Sequence, residues 1–502
     1  MTVFSLTTPI YYVNSDPHLG HAYTTVAADV LARHHRRSGD DVFFLTGTDE
    51  HGGNVARAAE AAGLPVKEFC DRVSERFRAL AAAVESSHDF FIRTTDPEHE
   101  RRVQAFVQLL KDRDQLYEGT YAGLYCSSCE MFYAESDLIQ PGNFCPLHPT
   151  RAAEWVEERN WFFPLRSWAP RLLELYDANP QFVRPRARYN EARSLIEGGL
   201  EDVSFSRATV SWGVPVPWEP SQTIYVWVDA LLNYRTALEY GLGRDVTATF
   251  WPTNLHLMAK DILRLHGIVW PAMLLAAGYE PPQGLFVHGY FSSGGQKMSK
   301  TLGNVIDPFE VIESLGADAL RFYLLREVQW GQDGDVTWEG LHRRYEGELA
   351  NDLGNLVSRT TAMVARYRDG VVPAGRSALE PIDVRVGERL AEIDLTGALE
   401  EIWGLVRAAN RFVEERAPWA LARSDDPADV ARLDETLYTL TDAVRSLAVL
   451  LWPYMPESAE RILEAVGDPG AIGWERAGLG LLETGAAVRQ PPPLFPRVEL
   501  PA

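Results

Sequence analysis

The chain has 502 residues, of which 46% are hydrophobic and 24% are charged. This composition predicts a soluble globular protein of about three domains and argues against a disordered or fibrous one. The formal net charge of −22 argues against a protein that coats nucleic acid non-specifically, although it leaves room for RNA binding at a local basic surface. No apolar run approaches the length of a membrane span, and the N-terminus has no secretory signal pattern. We therefore expect a cytoplasmic protein without membrane contact.

The first part of the chain predicts a βαβ unit. A strand ("VFSLTTPI") is followed by a helix ("HAYTTVAADVLARHHRRSG") and a second strand ("DVFFLTG"). A comparable block returns near residues 224–330, with "TIYVWVDALL", "ATFWPTNLHLM" and "GLFVHGY" as strand candidates. Two such halves around an insertion predict an α/β fold with a split, doubly wound (Rossmann-type) parallel sheet.

The stretch "NSDPHLGHAY" lies between the first strand and the first helix, where a doubly wound fold places its ligand. Gly20 leaves room for close approach to the backbone. His18 and His21 stand near a helix N-terminus, which attracts anions, and imidazoles can donate hydrogen bonds to a phosphate. The pattern is short, and taken alone it also fits a turn with incidental histidines.

The insertion, residues 116–205, contains a metal-ligand pattern. Cys126 and Cys129 are separated by two residues, and after a 15-residue spacer Cys145 and His148 are separated by two more. This spacing predicts two knuckles that supply three sulfurs and one nitrogen to one structural zinc ion (Zn²⁺). Free surface thiols and a redox CxxC are the alternatives, and neither needs the second pair. Cys70 is far from the other three cysteines in sequence and is predicted to be a buried apolar residue.

A glycine-flanked loop carries two of the five lysines among the chain's 48 basic residues. Lys297 and Lys300 lie between a predicted strand and a predicted helix. Asp307 as N-cap and Pro308 at the first helical position indicate where that helix begins. An ammonium group on a flexible stem suits phosphate oxygens. Lysine is also common in solvated surface loops, but its scarcity elsewhere in this chain favours a specific role.

The last third of the chain has helical apolar spacing without strand signals. The amphipathic stretches are "RRYEGELANDLGNLVSRTTAMVARYR", "TGALEEIWGLVRAANRFVEE" and "LDETLYTLTDAVRSLAVLLW". They predict an α-helical bundle after about residue 340, followed by a Pro-rich tail that wraps a surface or frays. The predicted segments are 1–115 and 206–290 for the two halves of the split sheet domain, 116–205 for the insertion, 291–345 for the lysine loop and connection, 346–475 for the bundle, and 476–502 for the tail.

Together, "HLGH" and "KMSKT" resemble the HIGH and KMSKS signatures of class I aminoacyl-tRNA synthetases, with Leu19 and Thr301 as similar replacements. The resemblance narrows to the methionyl-tRNA synthetase family and covers nearly the whole chain. It is carried by "PIYYVNSDPHLGHAYT", "FLTGTDEHG", "YVWVDALLNY", "KDILRLH" and "KMSKTLGNVIDP". Leu231, where many relatives have proline, indicates a different branch of that family.

The resemblance implies a methionine–tRNA ligase. Such an enzyme converts L-methionine and ATP to methionyl-adenylate and pyrophosphate, then transfers the methionyl group to the 3′-terminal adenosine of initiator and elongator tRNA(Met). It further implies Mg²⁺ bound with ATP, a zinc knuckle in the insertion and an anticodon-binding helical domain. Because no appended oligomerisation module is visible, we expect a monomer.

The resemblance also implies a set of functional residues. The catalytic residues would be His18, His21, Lys297 and Lys300. The ATP site would contain His18, Gly20, His21, Asp261, Lys297, Ser299 and Lys300, with Asp261 at the ribose. The methionine pocket would be lined by Ile10, Tyr12, Asp49, Trp227, Ala230, Tyr234, Ile262 and His266. The anticodon would contact Asn355, Arg359 and Trp419, within a basic surface supplied by Arg343, Arg344, Arg359, Arg366 and Arg368.

Two other functions fit parts of the sequence. Another class I synthetase would share both signatures, but the leucine, isoleucine and valine enzymes usually carry an editing insertion that 502 residues barely accommodate. A cysteine-specific enzyme would direct its zinc thiolates at the substrate, whereas the cysteine pattern of this chain lies in the insertion. A catalytically silent RNA-binding protein with this fold would not need the two histidines and two lysines. Trp227, Tyr234 and Trp419, considered singly, also fit core or helix-packing positions.

Overall fold

A computed structural model describes residues 2–127, 131–133, 135–146, 149, 151–293, 296–297 and 306–498. The first half of the catalytic sheet alternates strands and helices, as its periodicity predicts. Its elements are β1 (Val3–Thr7), β2 (Tyr11–Tyr12), α1 (Leu19–Arg37), β3 (Asp41–Asp49), α2 (Gly53–Ala61), α3 (Val66–Ala83), β4 (Phe90–Arg93) and α4 (Pro97–Asp112).

The next segment begins with a long antiparallel hairpin. Its elements are β5 (Tyr117–Cys126), β6 (Met131–Tyr133), β7 (Glu154–Phe163), α5 (Leu165–Ala178), β8 (Val183–Arg184), α6 (Arg186–Glu197), β9 (Val203–Ser204), β10 (Ser206–Arg207), β11 (Pro215–Val216) and β12 (Glu219–Ile224). Strands β6, β5, β7 and β9 form one small sheet, and β10, β12 and β11 form another. The hairpin thus builds a separate layer beside the catalytic sheet.

The chain then adds further strands to the central sheet, to which β8 already belongs. The elements are α7 (Val226–Tyr240), α8 (Thr247–Phe250), β13 (Leu255–Ala259), α9 (Trp270–Ala276), β14 (Leu285–His288), β15 (Phe291–Ser293), β16 (Gln296–Lys297), α10 (Pro308–Leu315), α11 (Ala317–Arg326) and β17 (Gly334–Asp335). A 3-10 turn at Lys260–Ile262 and a π-helical turn at Leu265–Val269 follow β13. As predicted, Asp307 caps α10 by accepting a hydrogen bond from the Phe309 N–H.

The remaining named elements are helices, as the spacing predicts. They are α12 (Trp338–Arg344), a π-helical segment (Tyr345–Gly354), α13 (Asn355–Arg368), α14 (Asp383–Ala391), α15 (Leu395–Arg416), α16 (Pro418–Leu421), α17 (Pro427–Leu451) and α18 (Pro456–Ala465), with a 3-10 turn at Trp474–Arg476. The tail wraps this bundle: the Tyr345 hydroxyl donates to the Pro496 carbonyl, and Leu494 and Phe495 are buried.

The central sheet confirms the predicted split, doubly wound architecture. Its strand order is β2-β3-β1-β13-β14-β8, with β4 also paired to β3, and every pair is parallel. The strand order reverses between β1 and β13. In such a sheet the crevice outside the carboxyl ends of these two strands is the usual ligand site.

One strand prediction is wrong. Most of "TIYVWVDALL" forms the first turns of α7, and β12 ends at Ile224. An apolar run that is buried on all sides has the same hydrophobic pattern in a helix and in a strand, so periodicity does not distinguish them. "ATFWPTNLHLM" contains β13 only in its last residues, after α8.

The largest hydrophobic cluster joins the catalytic sheet to the helical bundle. Leu6 of β1, Val26 of α1, Leu320 of α11 and Leu447 of α17 are all fully buried in it. The first helix of the sheet therefore packs directly against the bundle. Within the described ranges, no helix is both long and apolar enough to span a membrane.

Candidate functional site

His18 and His21 form the N-terminal cap of α1. The His18 backbone N–H donates to His21 Nδ1, and the Gly20 backbone N–H donates to His18 Nδ1, both at 3.1 Å. The two rings stack with centroids 3.9 Å apart. This reciprocal capping satisfies two of the backbone donors that a helix start leaves open.

The cap also determines where each imidazole carries its proton. Because Nδ1 accepts a hydrogen bond in both rings, a neutral ring at either position has its proton on Nε2. Burial, with a smaller contribution from His18, lowers the pKa of His21 well below its usual value. A Cβ at position 20 would lie 2.9 Å from Cε1 of His18, so Gly20 leaves room for the His18 ring in this position. The arrangement presents N–H donors at a helix N-terminus, which suits an anionic ligand.

Three predicted pocket residues lie on α7. Trp227, Ala230 and Tyr234 are spaced three and four residues apart and therefore share one face of the helix. Trp227 is partly buried, whereas Ala230 and Tyr234 are buried. Ile10 and Ile262 pack, with Trp227, against the hydrophobic cluster that contains Tyr234. The fold thus gathers residues from three distant parts of the sequence.

Tyr12 and Asp49 are neighbours across the sheet. They are register partners in the parallel pair β2–β3, and the Val13 N–H donates to the Asp49 carbonyl. Asp49 is only 4% exposed, and its charge contributes to the raised pKa of Tyr234, behind burial as the main cause. A buried carboxylate therefore lies near the aromatic face of α7.

His266 connects the pocket helix to the turn after β13. Its Nδ1 lies 3.0 Å from the Ile262 carbonyl, so Nδ1 carries the proton and Nε2 accepts from the Tyr234 hydroxyl at 2.7 Å. Burial lowers the pKa of His266 to about 4. At neutral pH the ring is neutral and orients the tyrosine hydroxyl.

Asp261 lies in the 3-10 turn that directly follows the carboxyl end of β13. Its charge, after burial, is the main cause of the raised pKa of Tyr290. The Lys260 ammonium group donates to both carboxylate oxygens of Asp333, at 2.9 and 2.6 Å. The same carboxylate accepts a hydrogen bond from the Tyr290 backbone N–H. This contact anchors the hairpin that leads to the lysine loop.

The lysine loop itself is described only in part. Strand β16 ends at Lys297 and pairs with β15, which follows directly on β14 and Tyr290. Ser299 and Lys300 lie outside the described residues. The hairpin therefore begins at the carboxyl edge of the central sheet, on the side of β13 and β14.

The described part of the cysteine pattern is consistent with a closed site. Cys126 ends β5, and both Cys126 and Cys145 are fully buried although the insertion is largely exposed. The Cys145 sulfur lies 3.6 Å from the Tyr133 hydroxyl, and Tyr133 is the register partner of Leu124, two residues from Cys126. The hairpin thus brings Cys145 next to the strand pair at whose end Cys126 lies. Cys129 and His148 lie outside the described residues, among which no group of three potential metal ligands is found.

The three predicted anticodon residues lie at one end of the bundle. Asn355 begins α13 and is exposed, and Arg359 one turn later donates to Glu414 at 2.7 Å. Glu414 is in the last turn of α15, and Trp419 follows in α16 with 39% of its surface exposed. The exposed Trp419 indole provides a surface on which an unstacked base can stack.

The expected basic surface is largely compensated by carboxylates. Arg343 and Arg344 both pair with Glu327, Arg359 pairs with Glu414, and Arg368 pairs with Asp434. Only the Arg366 side chain among the five expected arginines has no carboxylate partner within the described part of the chain. These pairs have to rearrange for the arginines to contact phosphates.

Four further histidines, which the sequence patterns do not single out, are buried against α7 or α1. The His256 ring lies 4.2 Å from the Tyr234 ring, and His288 Nε2 lies 2.8 Å from the Thr24 hydroxyl of α1. His51 and His99 both contact the carboxylate of Asp229, which lies on α7. His256 and His288 lie inside apolar runs, which is typical of core positions as well, whereas His51 and His99 follow acidic residues.

Two family models match the chain in order. The model described as tRNA synthetases class I (M) matches residues 4–153 and 137–361. The model described as the anticodon binding domain of methionyl tRNA ligase matches residues 380–500. The chain is 42% identical to the methionine–tRNA ligases of Thermotoga maritima and Thermosynechococcus vestitus, covering 99% of this chain in both cases and 80% and 98% of theirs.

Solved structures agree with the sequence matches. The chain is similar to Mycobacterium tuberculosis methionyl-tRNA synthetase in complex with methionyl-adenylate, with a TM-score of 0.94, 40% identity and coverage of 99% of this chain and 100% of that one. The apo form of the same enzyme gives a TM-score of 0.87 at 36% identity, covering 100% and 99% of the chains. Together with the capped histidines and the crevice between β1 and β13, these matches show that the chain belongs to the methionyl-tRNA synthetase family of class I aminoacyl-tRNA synthetases.

Proposed function

We propose that this methionine–tRNA ligase forms methionyl-adenylate in the crevice between β1 and β13. A carboxylate oxygen of methionine attacks the α-phosphorus of ATP, the bond to the bridging oxygen breaks, and pyrophosphate leaves. The ribose of the tRNA 3′-terminal adenosine then attacks the activated carbonyl, and AMP leaves. The proposal is supported by the register pair Tyr12–Asp49, by the charge of Asp49 that acts on Tyr234 of α7, and by the His18–His21 cap that begins α1 after β2.

The pocket residues suit each part of methionine. Asp49 is a buried carboxylate that would pair with the substrate ammonium group. Trp227 and Tyr234 offer aromatic surface to a polarisable thioether, with Ile10, Ile262 and Ala230 as apolar lining. Because the Tyr234 hydroxyl proton is directed to His266, the tyrosine oxygen stays fixed on one wall.

The phosphates would be held from two sides. His18 and His21 would donate from Nε2 toward the α-phosphate, with Gly20 allowing close approach and Asp261 at the ribose. Lys297, Ser299 and Lys300 would hold the leaving pyrophosphate oxygens, where Mg²⁺ bound with ATP supplies further charge neutralisation. No side chain acts as a nucleophile, so the rate depends on orientation and on stabilisation of charge at phosphorus.

Amino-acid-dependent ATP–pyrophosphate exchange tests this function directly. Across the twenty amino acids, we expect exchange with methionine alone. Exchange with a different amino acid would overturn the pocket assignment, and absence of exchange would overturn the activity. The Lys300→Ala variant should lose mainly the turnover number of exchange, and an unchanged rate would contradict the role of that lysine.

The helical bundle would recognise the tRNA anticodon. Asn355 and Arg359 would form hydrogen bonds with base edges, and Trp419 would stack on an unstacked loop base. The supporting observation is that these side chains lie at one end of the bundle, where α13 meets the end of α15. Arg359 would exchange its Glu414 partner for a base.

The buried thiols of the insertion support a structural zinc site. Cys126, Cys129, Cys145 and His148 would hold the metal, which when bound cross-links the two knuckles. Metal analysis of the purified chain should give about one zinc ion per chain. The Cys126→Ser variant should lose it, whereas Cys70→Ser, at a buried thiol outside the pattern, should retain it. Equal zinc content in both variants would contradict the assignment.

A further inference from the structure

Three buried polar side chains beside the candidate methionine pocket have no role in the chemistry described above. The Asp229 carboxylate of α7 lies 2.6 Å from His51 Nδ1 through one oxygen and 2.8 Å from His99 Nε2 through the other. All three side chains are at most 3% exposed. We call Asp229, His51 and His99 the Asp229 cluster.

The hydrogen bonds of the cluster assign its charges. Both ring nitrogens of His51 face carboxylates, since Nε2 lies 3.5 Å from Glu100 Oε1, so both carry protons and the ring is an imidazolium. Burial acts to lower the pKa of His51, but the charge of Asp229 raises it to about 10. Burial acts to raise the pKa of Asp229, but the charge of His51 lowers it to about 2. His99 Nδ1 lies 2.7 Å from the Thr236 hydroxyl, which can donate to it.

Charged and titratable groups lie around His51 on the elements packed against it. They are Asp49 at the end of β3, Glu100 and His99 on α4, Asp229 on α7, and Arg207 on the wall of the narrow cavity that His51 lines. The remaining close neighbour is the ring of Trp212, edge-on at 5.7 Å. Among these groups, Asp229 makes the shortest contact with His51.

The His51–Asp229 ion pair connects β3 with α7, the two elements that carry Asp49 and the pocket face of α7. His51 follows Asp49 by two residues at the carboxyl end of β3. Asp229 lies between Trp227 and Ala230 on α7, but on the side of the helix that faces α4, as its contact with His99 shows. A buried charge without its partner is strongly unfavourable, so the pair resists any change in the distance between β3 and α7.

We propose that His51 and Asp229 are positioning residues for methionine recognition. Their buried ion pair fixes the carboxylate of Asp49 against the face of α7 that carries Trp227 and Tyr234. Neither residue needs to touch the substrate. This inference rests on the proposed methionine pocket.

The Asp229→Asn variant of the full chain tests the inference. We expect the KM for methionine in ATP–pyrophosphate exchange to rise about tenfold, with kcat changed by less than about threefold, because an interaction that positions the ground state is lost. We also expect that KM, measured between about pH 6 and 8, to become pH-dependent, since His51 loses the carboxylate charge that raises its pKa. The parent enzyme should have a flat KM over the same range.

Two further variants separate positioning from general damage. Asp318→Asn removes another buried carboxylate, one that accepts from the Ser458 N–H far from the pocket, and should leave the KM for methionine unchanged. His99→Leu keeps the ion pair but removes one donor to Asp229. This variant should raise the KM for methionine by about threefold without a new pH dependence. If Asp229→Asn does not fold, this variant alone tests the positioning role.

The outcomes distinguish this inference from the proposed function. Absence of methionine-dependent exchange in the parent enzyme would overturn the proposed function itself. Normal exchange in the parent, with an unchanged and pH-independent KM in Asp229→Asn, would overturn only the positioning role. Equal changes in Asp229→Asn and Asp318→Asn would also overturn it, because both would then report loss of stability.

Discussion

Arg321 of α11 donates to Asp29 of α1 at 2.7 Å, and both side chains are fully buried. The same guanidinium donates to the carbonyls of Val84, Pro453 and Tyr454. Burial acts to raise the pKa of Asp29, but Arg321 and Arg33 lower it below its usual value. One arginine therefore joins the first helix of the catalytic sheet to the segment that follows α17.

Arg321→Met should destabilise the whole chain. The substitution leaves the Asp29 charge and three carbonyl groups without this donor, and removing one partner of a buried pair costs about 3–5 kcal/mol. Chemical denaturation at neutral pH measures the loss in the free energy of unfolding. Arg171→Met is the control, since Arg171 and Glu174 form an exposed pair on α5 and such pairs contribute less than about 1 kcal/mol. Similar losses in both variants would contradict this view of the buried pair.

Gly20→Ala should impair adenylation more than folding. The new Cβ would lie 2.9 Å from Cε1 of His18, so that ring has to move. A misplaced ring at the proposed phosphate site should reduce the pyrophosphate-exchange rate by about 10- to 100-fold. Gly404→Ala in α15 is the matched control, because a Cβ there meets no atom within 4 Å. Equal activity of the two variants would argue against a role for the His18 ring.

Stability should fall as the pH drops from about 6.5 to about 4. Burial lowers the pKa of His266 to about 4, so in this range the unfolded chain binds more protons than the folded one and acid favours unfolding. Above pH 6.5 the protonation of His266 leaves the free energy of unfolding unchanged. At pH 5 it should lower the free energy of unfolding by about 2 kcal/mol. His288, whose pKa burial also lowers to about 4, acts in the same direction.

Urea unfolding at pH 7.5 and pH 5 checks this contribution. His266→Gln should reduce the difference in unfolding free energy between the two pH values. His342→Gln, at a half-buried position on α12 far from the pocket, should leave the difference unchanged. A full pH dependence in His266→Gln would mean that other groups produce the acid sensitivity.

Trp419→Ala should weaken tRNA charging without changing adenylation. Stacking of one base on an aromatic side chain contributes about 1–3 kcal/mol, so kcat/KM for tRNA should fall roughly 5- to 150-fold. Pyrophosphate exchange does not involve tRNA and should be unaffected. Val384→Ala, at an apolar position of α14 that is 68% exposed, is the surface control. Loss of exchange in Trp419→Ala would indicate a folding defect instead.

Local sequence patterns predicted most elements but not all of them. The cap of α10 by Asp307 and Pro308 depends on neighbours in the chain and was predicted correctly. The run "TIYVWVDALL" was predicted as a strand but mostly forms α7. Because the run is buried on all sides, its hydrophobic pattern does not distinguish the two-residue period of a strand from the 3.6-residue period of a helix. Asp229 lies in this run, which is one reason why its contacts with His51 and His99 were not predicted.

By itself, the sequence determined the class of fold, the family and the candidate residues of the active site, because strand–helix alternation, the "HLGH" and "KMSKT" patterns and the cysteine spacing are all local. Only the tertiary structure decided the contacts between distant residues: His51 with Asp229, Tyr234 with His266, and Arg321 with Asp29. These pairs join residues 32 to 292 positions apart. Which buried charge meets which partner is decided by packing of the sheet against its helices, and no local pattern encodes it.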